Sequence, residues 1–208
     1  KADEVFERIN VNFSNTSSLV RAATDINSSS KWDKWFGSSS NSFEINYHVW
    51  LPSTVDIDLT NKYGDIVVAS MGGDAEIELK YGNLRMDAVD GDVGINLGYG
   101  KASITSGGNA DLELKYCTVY GGDFKDVSAT TKYSTIELGH IGILQSSSAY
   151  DAYRIQSATS VSNFGKYDDL KLGEVGTVTV NTKYTHLEVE RLTEEADLNF
   201  KHGGIKVK

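Results

Sequence analysis

The chain has 208 residues, with 20 Lys+Arg against 29 Asp+Glu and a formal net charge of −9. That balance excludes a nucleic-acid backbone as partner, which needs a Lys/Arg footprint, and no apolar run approaches the ~18 residues of a membrane-spanning helix. One cysteine, Cys117, leaves no internal disulfide and no cysteine metal cluster, and 39% hydrophobic residues suffice for a core, while 20 Gly, 1 Pro and 11 Tyr stand out.

In chain order, residues 1–60 read as an N-terminal cap of a short helix plus strands. Ala2 to Ile9 places Val5, Phe6 and Ile9 at helical spacing, which predicts the helix. Val11 to Phe13 and Leu19 to Thr24 are predicted strands. Residues 25–42 are polar and serine-rich but carry Trp32, Trp35 and Phe36. These three aromatics are the candidate ligand contact; the competing reading has them plug the open end of the next unit. Phe43 to Trp50 alternates as a strand does, and Asp56 to Asn61 opens a repeat.

From there the aromatics keep time. Tyr63, Tyr81, Tyr99, Tyr116, Tyr133, Tyr150, Tyr167 and Tyr184 are spaced by 18 or 17 residues, and His202 follows 18 after the last. A helix-pair repeat needs ~33 residues, about twice this period. The residues before each tyrosine alternate as strands do: Ala75, Ile77, Leu79 and Tyr81 against Asp74, Glu76, Glu78 and Lys80. The next apolar positions, such as Ile136 and Leu138 and then Ile141, lie out of phase with that alternation. A side chain changes face at every residue of a straight strand, so each phase break marks a bend. Three breaks per copy predict an all-β fold over 61–208: a single-stranded parallel β-helix, triangular, with 17–18 residues per rung. The crossover rule for parallel strands and the lack of a hexapeptide repeat favour a right-handed coil. Proline cannot donate to a central ladder, which accounts for its near absence.

The side chains leave several readings open. The tyrosine column and His202 share parity with the aliphatic residues, which reads as a structural ladder of inward rings stacked at a corner; the alternative is a stacking surface for sugars. Lysines precede most of these aromatics and face outward, as a solvated column or as a site for anionic glycans. Asp90-Gly91-Asp92 and Gly73-Asp74 read as turn chemistry rather than calcium corners, since they do not recur every rung. Thr131, Ser148 and Thr182 occupy interior positions two before the tyrosine, with Ser146 nearby, as a bonded hydroxyl ladder or a polar channel. Cys117 fills a corner slot held elsewhere by Gly, Ser, Thr or Asp. His48, His140, His186 and His202 have no metal-ligand spacing. No catalytic residue, metal ligand or cofactor is expected.

The stretch Val49 to Val68, and later copies such as Thr131-Lys-Tyr-Ser-Thr-Ile-Glu-Leu-Gly and Lys166-Tyr-Asp-Asp-Leu-Lys-Leu-Gly, resemble the repeats of bacterial cell-surface proteins catalogued as adhesins. The resemblance covers nearly the whole chain, residues 25–42 least. It implies a right-handed β-helix, a secreted or cell-surface location in the cell envelope, and adhesion. It offers no catalytic residues. The expected function is therefore a non-enzymatic rod presenting a binding face to glycans or to host and matrix proteins. One alternative is a structural envelope module that self-associates end to end through its terminal rungs. A carbohydrate-active β-helix is the third reading, and it would need clustered acidic residues beside a basic group.

Overall fold

The computed structural model describes residues 9–16, 18–26 and 45–208. The chain divides into two units between Val49 and Trp50.

In the first unit, β1 (Ile9–Asn15) and β2 (Val20–Ile26) pair antiparallel, with Phe13 opposite Ala22. Thr16 shapes the turn between them: its Oγ1 accepts the Leu19 N–H at 3.1 Å, and its own N–H donates to the Leu19 carbonyl at 2.8 Å. The hydroxyls of Thr24 and Tyr47 are hydrogen-bonded. The predicted helix over Ala2 to Ile9 lies outside the described residues except for Ile9, which opens β1. Trp32, Trp35 and Phe36 also lie outside them. The strand expected over Phe43 to Trp50 is not formed across its described part, 45–50. Tyr47 and Val49 on one parity and Trp50 on the other are all exposed, so neither face of that alternation is buried.

The second unit is a parallel β-solenoid. One strand path runs through β3 (Ile57–Asn61), β5 (Ala75–Lys80), β7 (Val93–Gly98) and β9 (Ala110–Lys115). The other runs through β4 (Ile66–Val68), β6 (Asn83–Ala88) and β8 (Lys101–Gly107). Both lead into β10 (Thr118–Lys132). From there β11 (Thr135–Ala149), β12 (Ala152–Lys166) and β13 (Asp169–Val207) bend around the corners without interruption. Partners are 18 residues apart early in the stack (Ile77 with Ile95) and 17 later (Leu112 with Ala129). Every pairing in this unit is parallel, as rungs of one coil require.

Three phase breaks per rung define the bends. Around one rung, Lys132 and Tyr133 both face outward, Gly139 and His140 are the next adjacent pair without an inward member, and Gly142 and Ile143 are the third. Between breaks the alternation is strict. Ile77, Leu79, Leu97, Leu112, Leu114, Ile136 and Leu172 point inward and are fully buried. Each such side chain contributes about 1.5–3 kcal/mol over its exposed state. The third corner is closed by acidic side chains. Asp56 accepts the Asp74 N–H, Asp74 the Asp92 N–H, and Asp92 the Asn109 N–H, at 2.8–2.9 Å. The bonds to Asn109 hold the Asp92 carboxyl below its ordinary range. These aspartates serve as turn acceptors.

The tyrosines do not point inward. From Tyr81 to His202 each ladder residue has φ between 55° and 64°, the left-handed region. Sequence parity places the first break after the tyrosine, but the structure places it before, between lysine and tyrosine. The residue after the tyrosine is therefore the inward one. Cys117, Ser134, Asp151, Asp168 and Thr185 are all buried.

Candidate functional site

Two features of the solenoid concentrate chemistry: the outward tyrosine corner and a polar section of the core directly beneath it.

At the corner, the rings from Tyr63 to Tyr184 and then His202 form one continuous stack. Centroids lie 4.8–5.4 Å apart, with interplanar angles of 3–16°. The tyrosines are 41–69% exposed, by their edges, because the ring faces are taken by neighbours. A sugar ring stacks on an aromatic face, so the interior of this column offers phenolic edges and hydroxyls instead. A left-handed non-glycine residue costs roughly 1–2 kcal/mol. Each ring–ring contact returns about 0.5–1.5 kcal/mol, so stacking offsets most of the backbone strain. Lys62 and Lys132 extend over the rings of their following tyrosines, at 5.4 and 5.2 Å from the centroids. On the other side of the column runs an open groove of about 670 Å³. Tyr133, Tyr150, Tyr167 and Tyr184 form one wall, and Thr135, Ala152, Asp169 and His186 the other.

Beneath the groove the core turns polar. Thr131, Ser148 and Thr182 are buried, as their interior positions require, and Ser146 beside them is buried too. They bond to groups that the alternation does not reveal. Thr131 Oγ1 lies 2.8 Å from Asp151 Oδ2 and 2.7 Å from the Tyr153 hydroxyl. Ser148 donates to Asp168 Oδ2 at 2.9 Å. The Asn163 amide nitrogen donates to the hydroxyls of Ser146 and Ser148, both at 2.8 Å. Thr182 and Thr185 share a hydrogen bond, and Thr182 also donates to the Gly165 carbonyl at 2.9 Å.

From Cys117 onward the slot after the tyrosine supplies a second relay. Ser134 Oγ accepts the Cys117 N–H, Asp151 the Ser134 N–H, Asp168 the Asp151 N–H, and Thr185 the Asp168 N–H, at 2.6–3.3 Å. Each of these four left-handed corners leaves an inward amide that needs an acceptor, and the following rung provides it. Cys117 belongs to this column; its Sγ sits 3.1 Å from the Leu97 carbonyl oxygen and 3.0 Å from that of Lys115. Burial pushes its thiol up, away from the thiolate.

Electrostatics follow from burial. Asp168 is 4% exposed, and its carboxyl is pushed up to about 6 by burial first, with the nearby Asp151 charge adding to the shift. The Asp151 N–H and Ser148 hydroxyl pull the other way. Burial also raises Asp151, against three donors from Ser134, Thr131 and Ala149. The Tyr153 phenol is raised by burial and by both carboxylates. Asn163 is 1% exposed, and its Oδ1 is the buried side-chain oxygen lacking a partner among the described residues.

Sequence reasoning missed Asp151, Asp168, Tyr153 and Asn163 as members of one cluster. The signal was the coincidence of polar residues in columns that hold Leu, Ile or Gly in earlier rungs. Of the four histidines, His202 ends the ring stack and His140 Nδ1 lies 2.6 Å from Ser157 Oγ. No group of three or more His, Cys, Asp or Glu side chains is arranged to hold a metal among the described residues. No family model, curated protein or solved structure matches the chain.

Proposed function

We propose that this chain is a non-enzymatic adhesin-type module of the bacterial cell envelope, with the solenoid as a display scaffold. The observation that supports the reading is regular external presentation. The same outward positions recur one rung apart, about 4.8 Å, on parallel sheets whose cores are closed. Such a surface repeats one contact many times along an extended ligand, so weak individual contacts sum to useful avidity. Some outward charges pair across neighbouring rungs, as Arg154 does with Glu137 and Arg191 with Glu174. The buried carboxylates of Asp151 and Asp168 are held by amides and hydroxyls, an arrangement that supports architecture over acid–base work.

The test is to apply the purified chain to glycan and matrix-protein arrays. Specific retention on either supports the reading. Silence on both overturns it. Light scattering that grows with concentration, alongside silent arrays, would favour the end-to-end structural module instead.

A further inference from the structure

One sheet face changes character along the solenoid. In β5 and β9 the outward residues ahead of the lysine are acidic, Glu76 and Glu78, then Asp111 and Glu113, with the uncharged Gly94 and Asn96 of β7 between them. In the next four rungs the corresponding positions carry no charge, and the last rung restores one at Asp197. They are Ser128 and Thr130 in β10, Gln145 and Ser147 in β11, Ser162 and Phe164 in β12, and Thr179 and Asn181 in β13. The lysine column beside them is itself broken by Ala149, which pairs with Lys132 and Lys166. In a chain with 24% charged residues, eight outward positions without one make a distinct patch.

Its geometry is a lattice. Neighbouring rungs lie about 4.8 Å apart, and alternate residues along each strand about 6.6 Å apart. Hydroxyl and carboxamide groups both donate and accept hydrogen bonds, as sugar hydroxyls do. Near the middle stands Phe164, 55% exposed, paired with Ser147 on one side and Asn181 on the other. Its ring has no aromatic stacking partner among the described residues. The corner tyrosines have theirs on both sides, except at the ends of the column. Phe164 therefore offers an exposed ring, unstacked by any aromatic neighbour, amid neutral hydrogen-bonding groups, and the C–H face of a pyranose ring can pack on it. The molecule's net charge of −9 disfavours an anionic polysaccharide, whereas an uncharged one meets neither repulsion nor a desolvated charge.

We infer that the outward face spanning Ser128 to Asn181 docks an uncharged glycan chain, with Phe164 as the stacking platform and Gln145, Ser147, Thr179 and Asn181 as hydrogen-bonding groups around it. This rests on the adhesin-type reading and gives it a ligand class.

The test uses the full chain on an array of neutral glucans, mannans and xylans, anionic glycans and matrix proteins, followed by affinity measurement on the best neutral hit. Binding should fall about tenfold in Phe164→Ala, a hot-spot truncation, and persist in Phe164→Trp. It should also fall in the Gln145→Lys/Ser147→Lys double variant, and be insensitive to salt. Glu78→Ala, on the acidic half, should bind as the parent does. All these positions face solvent, so unchanged melting temperatures will confirm that the variants fold. Retention only on anionic glycans or matrix proteins would overturn this inference and leave the adhesin-type reading standing. Neutral-glycan binding unaffected by Phe164→Ala would do the same. Silence across the array would overturn both.

Discussion

The main-chain N–H of Asp151 donates to the carboxylate of Asp168, one rung further along, at 3.0 Å. Two buried acids thus sit in adjacent positions of one column with no basic side chain among the partners that bond them. The arrangement supplies an acceptor for a corner amide but leaves like charges close together in a dry setting.

This predicts an unusual pH response. Burial pushes the Asp168 carboxyl up to about 6 in the folded chain, from an ordinary value of 3.8. A raised folded value means the native state holds the proton more tightly. The associated stability is full below about 4 and lost as pH rises through 6, on the order of 2 kcal/mol after allowing for screening at the corner. Asp168→Asn keeps an acceptor for Asp151 and offers a donor to Ser148. It should raise the denaturant midpoint at pH 8 and bring much less gain at pH 5. An equal gain at both pH values would refute the assignment.

The ladder tyrosines give a reversal of the usual strand rule. Tyr133, at φ 55°, stacks on Tyr116 and Tyr150 with centroids 4.9 Å away. Tyr133→Ala loses both contacts and keeps the backbone strain, so it should cost about 2–3 kcal/mol. Tyr133→Gly loses the same contacts but relieves the strain, and should cost about 1 kcal/mol less. Urea titration of the two variants decides; alanine being the milder change would contradict the left-handed corner.

Gly165 tests the coupling between the interior columns. A Cβ built there would collide with Asp168 Oδ2 and Ser148 Oγ. The Asp168 side chain occupies the space that Thr131, Ser148 and Thr182 fill in their own rungs. Gly165→Ala should therefore destabilise by about 2–4 kcal/mol. Paired with Asp168→Ser, which shortens the intruding group, it should cost less than the sum of the single changes. A double-mutant cycle measures that difference, and strict additivity would count against shared space.

The plain β alternation can be checked on neighbouring residues. Ile77→Ala should cost about 2–5 kcal/mol by opening a cavity in a closed core. Glu76→Ala, one position earlier and outward, should change stability by no more than about 0.5 kcal/mol. Thermal unfolding of both variants distinguishes a buried column from an exposed one.

The period and the inward aliphatic columns were legible because parity is a strict geometric rule, and Ile77, Leu97 and Leu138 obey it. What parity could not show was which of two adjacent residues absorbs a bend. Tyr133 read as inward because it continues the alternation of Ala129 and Thr131. Its left-handed φ hands that inward place to Ser134 instead. The buried cluster was half legible: Thr131, Ser148 and Thr182 announced it, while Asp151 and Asp168 looked like solvent-facing corner residues. The carboxylates follow from the amide orientation at a left-handed corner, a backbone property that side-chain patterning does not carry. Phe43 to Trp50 failed for another reason, since alternation forms a strand only where a partner sheet buries one face.

Many side-chain bonds in this solenoid join neighbouring rungs, as when Asp126 receives the Ile143 amide or Asp168 that of Asp151. The ring column also tolerates two rung lengths, with centroids 5.4 and 5.1 Å apart across the first 18-residue rungs and 4.8–4.9 Å across those of 17. A rung is consequently a unit of heredity. In-frame duplication or loss of a whole copy meets matching surfaces above and below. Slippage by one codon is absorbed at the corner where Gly72 and Gly73 lie in a longer rung. The coil can lengthen or shorten in whole repeats through its aliphatic rungs, while Asp151 and Asp168 must stay in adjacent ones.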